Sequence, residues 1–252
     1  MFLQALIFDV DGTLADTERD GHRPAFNAAF REAGLDWHWD AELYGKLLAI
    51  TGGKERMKHY VEMFRPDFKK PANFDELVAG LHKAKTRHYT AMLAQGTVPM
   101  RPGVKRLLKE ARKAKLRLAI ATTTTPDNVT ALLEHSLGKG STQWFEIIAA
   151  GDIVPAKKPA PDIYIWALEQ MKLAPEACLA FEDSENGIRA SLGAGLKTLI
   201  TTNGYTHDHD FTGAAVVLSD LGESDAPATA LSGMWSGQGY VTLESLRILH
   251  KM

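Results

Sequence analysis

A parallel α/β sheet interrupted by an all-helical insertion is the fold this sequence predicts, and three observations carry it. Short apolar runs end abruptly in polar or acidic residues, as buried parallel strands do when their carboxyl ends open onto a site. From Pro102 onward such runs alternate with helical patterns, which argues for a doubly wound sheet covered by helices on both faces. Between about 17 and 95 the spacing is helical and the alternation is missing. The expected division is a core of 1–16 and 96–252, with a smaller helical domain of 17–95 inserted after the first strand.

Taken in order, residues 1–10 are a mostly apolar run that stops among carboxylates, a buried strand. Ala25, Phe26, Ala29, Phe30 and Ala33 mark one face of a helix, and Gly34 is its stop. Helical character continues past Gly52-Gly53 through Met57, Tyr60, Val61 and Phe64, and resumes over 77–92. Pro102-Gly103 opens the alternating part: helix 104–114, strand 116–122, a helix after Pro126, and an apolar run over 145–150. Pro161 suits the first turn of a helix reaching about residue 171. Strand 177–182, helix 186–194 and strands 196–200 and 215–218 follow, while 222–238, rich in Gly, Ser and Ala, reads as a loose loop.

Composition narrows the function classes. At 252 residues the chain suits one large domain or a core with an insertion, and 45% hydrophobic with 24% charged residues is enough to bury a core. The net charge of −2 gives no global attraction to nucleic acid or an anionic membrane. Residues 51–90, however, hold nine Lys or Arg against five Asp or Glu, a basic segment that suits an anionic small molecule. The single cysteine, Cys178, excludes an intramolecular disulfide and a cysteine-rich zinc site, and its apolar neighbours mark it as a packing thiol. No apolar run approaches the ~20 residues that cross a bilayer, so a soluble, cytoplasmic chain is expected, and a monomer. Trp37 and Trp39 are expected in the core, and His207-Asp208-His209-Asp210 in a solvated loop.

In a doubly wound sheet, ligands bind beyond the carboxyl ends of the strands, so the polar residues that terminate the strands should converge. These are Asp9 and Asp11, Thr122, and Glu182 with Asp183; Lys158 can reach in from its loop. Clustered carboxylates repel unless a cation joins them, which points to a hard metal such as Mg²⁺ bound through oxygen. Asp9 and Asp11 leave the same face of an extended chain before Gly12 turns it. Two carboxylates held together can divide into an ionised nucleophile and a protonated acid. With a metal, a lysine and hydroxyls around them, phosphoryl transfer is the favoured chemistry. Gly52, Gly53 and Lys54 add an N–H-rich anion cradle that lacks P-loop spacing.

Asp9-Val10-Asp11-Gly12-Thr13-Leu14, Thr122, Lys158-Pro159 and Glu182-Asp183-Ser184, in that order, resemble the four motifs of the haloacid dehalogenase superfamily. The resemblance implies a Rossmann-like core with a helical cap. It makes Asp9 the nucleophile that forms an aspartyl-phosphate and Asp11 the acid that protonates the leaving oxygen. Mg²⁺ would be held by Asp9, the Asp11 backbone carbonyl and the Glu182-Asp183 pair, chiefly Asp183. Lys158 and Thr122, or its neighbour Thr123, would steady the nucleophile and the phosphoryl oxygens. Glu18, His22-Arg23, Thr51-Gly52-Gly53-Lys54-Glu55-Arg56, the run Thr122-Thr123-Thr124-Thr125 and Lys157-Lys158-Pro159 resemble the CbbY branch more narrowly. That branch implies a sugar-bisphosphate phosphatase, with xylulose 1,5-bisphosphate as the expected substrate. Glu18, His22, Arg23, Thr51, Gly52, Gly53, Lys54, Glu55, Thr123, Thr124 and Thr125 would then bind it. A β-phosphoglucomutase-like mutase and a non-catalytic sugar-phosphate sensor are the alternatives. The sensor is disfavoured because mere binding needs no Asp9/Asp11 pair with a lysine.

Overall fold

The computed structural model describes residues 2–235, 237 and 239–252; Met1 of the first expected strand, and Ser236 and Gln238 of the expected loop, lie outside the described residues. The chain enters through β1 (Ala5–Phe8) and a π-helical turn at Glu18–His22 that runs directly into α1 (Arg23–Glu32). Next come α2 (Ala41–Leu47), α3 (Gly53–Phe64) and the long α4 (Phe74–Ala94). It continues through α5 (Val104–Lys113), β2 (Arg117–Thr122), α6 (Pro126–Leu137), β3 (Ile147–Ala150), α7 (Asp162–Met171) and β4 (Cys178–Glu182). α8 (Glu185–Gly193), β5 (Lys197–Thr201), β6 (Val216–Leu218), β7 (Ala230–Gly233) and α9 (Leu243–Lys251) complete it.

Among the described residues the strands form one sheet in the order β3-β2-β1-β4-β5-β6-β7, parallel throughout except between β6 and β7. β1 can occupy the middle because all four of its residues are buried and apolar. Its side chains alternate between two layers, as the period of a strand requires. Leu6 and Phe8 join Leu107, Leu132 and Leu246 on one face; Ala5 and Ile7 join Ile163, Tyr164 and Ala167 on the other. Cys178 is buried in the second layer as expected, and burial pushes its thiol up to about 12. Strand order reverses direction at β1: the chain builds outward to β3, then returns to place β4 on the other side. That switch opens the crevice at the carboxyl ends of β1 and β4. Parallel pairing of Phe8 with Phe181 sets Asp9 beside Glu182 there.

Residues 17–95 contain helices and no strand. They bury an apolar cluster of their own, with Phe26, Phe30, Trp37, Trp39, Tyr44 and Tyr60, so both tryptophans are core residues. Farther along α4, Tyr89 and Leu93 pack into the cluster of the sheet. The segment leaves and returns at one point: Ala15 bridges antiparallel to Met100, and Arg101 N–H donates to the Leu14 carbonyl at 2.9 Å. The expected loop 222–238 needs correction, because β7 lies within it and pairs with β6. All four β7 residues are exposed, so no apolar alternation advertises the strand. α9 was likewise not expected; a capping box between Thr242 and Ser245 starts it.

Candidate active site

Asp9 leaves β1 with its N–H donated to the Phe181 carbonyl at 3.0 Å, which ties the first residue of the site to β4. Gly12, at φ 86°, turns the chain; a Cβ there would lie 2.2 Å from Asp183 Oδ2, so only glycine lets this turn approach the acid behind it. Lys158 arrives from the loop after β3 and is 5% exposed. Its ammonium donates to Asp9 Oδ1 at 2.7 Å, to Glu182 Oε1 at 2.5 Å and to the Ala121 carbonyl at 2.9 Å, so all three hydrogens are used. Burial alone would lower this lysine's pKa, but the Asp9 and Glu182 carboxylates outweigh it and hold the ammonium charged. Glu182 also accepts the Tyr164 O–H at 2.6 Å, and Asp183 accepts Asn203 Nδ2–H at 2.7 Å.

Asp9, Glu182 and Asp183 are all buried and offer carboxylate oxygens within 4.8 Å of one another. Desolvation pushes Asp9 upward, against the pull of Lys158 and with the push of Glu182 and Asp11. Desolvation, then Asp9 and Glu182, push Asp183 well above the usual carboxylate range. One lysine does not neutralise three buried acids. An all-oxygen donor set with excess negative charge fits a hard divalent cation such as Mg²⁺, which would restore the ionised form of these acids.

Asp11 lies apart from that cluster. Its Oδ1 accepts the Thr17 O–H at 2.5 Å and His22 Nε2–H at 2.8 Å. Burial would raise this acid, but His22, Thr17 and Lys85 outweigh it and hold Asp11 well below the usual range. By the protein's own groups alone, Asp11 is held toward its ionised form while Asp9 is pushed away from it. The reason is position, since Asp9 shares its oxygens' surroundings with two more acids and Asp11 does not.

Two adjoining cavities open onto these groups and share Asp11, Glu18, Arg56 and Thr123 in their walls. The first, about 240 Å³, also reaches Asp9, Lys158, Asp183 and Thr51. The second, about 500 Å³, is lined by His22, Gly52, Gly53, Lys54, Lys85, Thr124 and Thr125 among others. Most of the expected binding residues therefore do converge. Of the two threonines, Thr123 lines both cavities, whereas Thr122 is fully buried and its Oγ1 accepts the Thr124 N–H at 3.3 Å. Arg23 lines neither cavity and donates instead to the Trp39 carbonyl at 3.4 Å. Glu55 also lies outside both and accepts from Lys157 at 3.0 Å. Lys54 reaches the rim paired with Asp152 at 2.8 Å.

Sequence reading missed Lys85, Thr17, Tyr44, Asn203 and Tyr164, and left Arg56 without a role. Asn203, two residues past β5, was within reach of the strand-end rule already applied to β1, β2 and β4. Lys85 gives no such signal, because a lysine at helical spacing ordinarily faces water. Here it is 4% exposed, with its ammonium 5.1 Å from the Phe26 ring centre and 5.2 Å from that of Tyr89. No carboxylate lies within 4 Å of it among the described residues.

Fold and site together define an enzyme: a doubly wound sheet with an acid cluster and buried lysine in its crevice, faced by cations for an anionic substrate. The profile of the family described as haloacid dehalogenase-like hydrolase matches residues 3–195, and the chain belongs to that family. It is similar to the plasmid-encoded protein CbbY of Cupriavidus necator, 49% identical over 89% of this chain and 88% of that protein. The phosphorylated carbohydrates phosphatase of Thermotoga maritima is 31% identical over 78% of this chain and 84% of its own. The crystal structure of CbbY from Rhodobacter sphaeroides in complex with phosphate has a TM-score of 0.80 at 44% identity, over 87% of this chain and 95% of that one. The same values hold for an aspartate-to-asparagine variant of that protein in complex with xylulose-(1,5)bisphosphate. The chain is a phosphoric monoester hydrolase.

Proposed function

We propose that this hydrolase removes one phosphate from a sugar bisphosphate, with xylulose 1,5-bisphosphate as its substrate, and that residues 17–95 act as a cap over a core of 1–16 and 96–252. The observation that carries the reading is a pair of joined cavities with charge of opposite kinds at their ends. One end holds the acid cluster with Lys158; the other holds Lys85, a buried cation with no carboxylate within 4 Å among the described residues. A buried unpaired ammonium is costly unless a ligand anion meets it, and a second phosphate is such an anion. The similarity to a CbbY structure bound to xylulose-(1,5)bisphosphate supports the same choice.

Asp9, Asp183 and Glu182, with the Asp11 carbonyl, are the groups that would hold Mg²⁺, and the ion would neutralise charge on the transferring phosphoryl group. Asp9 attacks phosphorus as its P–O ester bond breaks, giving an aspartyl-phosphate and a sugar alkoxide that takes a proton from Asp11. Asp11 must acquire that proton first, and the phosphoryl dianion beside it pushes its pKa upward to that end. In the second half the ionised Asp11 accepts a proton from the attacking water, a state that His22 and Thr17 already favour. Lys158 holds Asp9 Oδ1 in place, and Thr123 offers a hydroxyl at the cavity wall.

A phosphate-release screen over ketose and aldose mono- and bisphosphates with Mg²⁺ tests the proposal. The expected result is one phosphate per pentulose bisphosphate and kcat/KM at least about tenfold above any monophosphate. Equal turnover of the monophosphates, or return of the phosphoryl group to a second sugar position, would overturn it.

A further inference from the structure

Arg101 stands where the helical segment rejoins the core, 7% exposed, beside the bridge from Ala15 to Met100. Its guanidinium ties together segments that are far apart in the chain. Nη1–H donates to the Gly12 carbonyl in the turn after β1, and to the Thr201 carbonyl at 3.1 Å and Thr201 Oγ1 at 3.2 Å at the end of β5. Nη2–H donates to the Thr202 carbonyl and, at 2.8 Å, to the Ser219 carbonyl just past β6. Nε lies 3.3 Å from Asp16 Oδ1, so every nitrogen of the fork has a partner. Among the described residues no ion pair joins Arg101 to Asp9, Glu182 or Asp183.

What Arg101 holds reaches Asp183 through one residue. Thr201 and Thr202 lead directly to Asn203, whose side chain is fixed at both ends. Its Oδ1 accepts the Tyr205 N–H at 2.9 Å, which leaves Nδ2 as the donor to Asp183 Oδ2 at 2.7 Å. The Gly12 turn closes on the same spot, since a Cβ there would lie 2.7 Å from Asn203 Nδ2 as well as against Asp183. One oxygen of Asp183 is thereby anchored, while Oδ1 has no hydrogen-bond partner among the described residues. A carboxylate held by one oxygen cannot swing its other oxygen away from a metal. We infer that Asn203 is a positioning residue that aims Asp183 at a divalent cation, and that Arg101 holds the strand ends that keep Asn203 in reach. The inference rests on the reading of Asp183 as a group that holds Mg²⁺.

The test is a calorimetric titration of metal-free protein with Mg²⁺, joined to the Mg²⁺ dependence of phosphate release from one sugar phosphate. Asn203→Ala removes the donor to Asp183 and should raise the Kd for Mg²⁺ about tenfold or more, the usual cost of losing a partner behind a metal ligand. Arg101→Lys keeps the charge but replaces the planar fork by one nitrogen, which cannot reach Gly12, Thr202 and Ser219 together; about fivefold is expected. In both variants kcat should return to within about threefold of wild type at saturating Mg²⁺, because the reacting groups themselves are untouched. If Arg101 acts through Asn203, the double variant should bind Mg²⁺ no more than about twofold more weakly than Asn203→Ala alone.

If wild type binds Mg²⁺ and Asp183→Ala loses it, yet folded Asn203→Ala binds it as tightly as wild type, the inference fails and the metal reading stands. A lower kcat that saturating Mg²⁺ does not restore, with Kd unchanged, would make the role merely structural and also defeat it. Fully multiplied losses in the double variant would separate Arg101 from Asn203 and overturn the relay. If wild type binds no Mg²⁺, or Asp183→Ala binds it equally well, the metal reading fails and the inference with it. Should Arg101→Lys not fold, Asn203→Ala decides: a raised Kd supports the inference and an unchanged one overturns it.

Discussion

Gly187→Ala is the substitution whose outcome best separates local propensity from the demands of the site. Gly187 lies in the first turn of α8, where its N–H donates to the Ser184 cap at 3.2 Å. Its backbone is helical, so on propensity alone alanine would stabilise the helix by about 1 kcal/mol. The contact says the opposite: a Cβ there would sit 1.9 Å from Glu182 Oε2 and 2.1 Å from its Cδ. Glu182 must then retreat by about 1 Å or more to reach ordinary contact distance. It is 1% exposed and tied to Lys158 and Tyr164, so it cannot move alone. Overpacking a filled interior costs about 1–3 kcal/mol, and weakening a charged hydrogen bond about 1.5–3 more. Against the propensity gain, a net loss of about 2–4 kcal/mol is expected. Moving Glu182 also moves Lys158, and through it Asp9, so kcat should fall about 100-fold on any phosphate ester. Thermal unfolding and steady-state kinetics on a sugar phosphate and a small monoester measure both effects. A Gly187→Ala protein that melts no lower than wild type and keeps its kcat would refute the reasoning.

Lys85 is pushed down to about 8 by burial, with Asp11 and Glu18 partly holding it up, so its charge is lost as pH rises through that value. KM for the bisphosphate should therefore climb above pH 8, and Lys85→Met should remove that limb; an unchanged KM–pH profile in the variant would take Lys85 out of phosphate recognition. Lys54→Ala should change kcat/KM on bisphosphate and monoester alike by less than about fivefold, because the Lys54–Asp152 pair is 39% and 61% exposed and such pairs contribute little. A large loss confined to the bisphosphate would instead place Lys54 at the second phosphate.

What the sequence discloses and what it hides follow from how each element is held. β1, β2 and β4 are legible because strands buried on both faces must be continuously apolar, and their terminal Asp9, Thr122 and Glu182 stand out against that background. β7 is hidden because it lies exposed at the edge and owes its pairing to β6 rather than to its own pattern. Lys54 looks like part of an anion cradle beside two glycines, and Glu55 like a substrate ligand, yet the loop that brings Asp152 and Lys157 against them is about a hundred residues away in sequence. Lys85 and Tyr44 are hidden for the converse reason: nothing near them marks a polar group as buried, and only packing among α1, α2, α3 and α4 makes it so.

The central place of β1 has a consequence for how the chain acquires its site during synthesis. Ala5 is made well before its neighbours in the sheet, Arg117 and Cys178. Until β2 is made the strand has no ladder at all, and until β4 is made one edge stays open, an apolar surface that other chains can capture. The helices of 17–95 involve mostly near neighbours and can form early, whereas the sheet must wait on closures spanning more than a hundred residues. Asp9 is therefore synthesised long before Glu182 and Asp183 exist to crowd it. The crowded acids meet only when β4 docks, so the charge repulsion of the site is imposed at a late closure of the core rather than carried through the whole of folding.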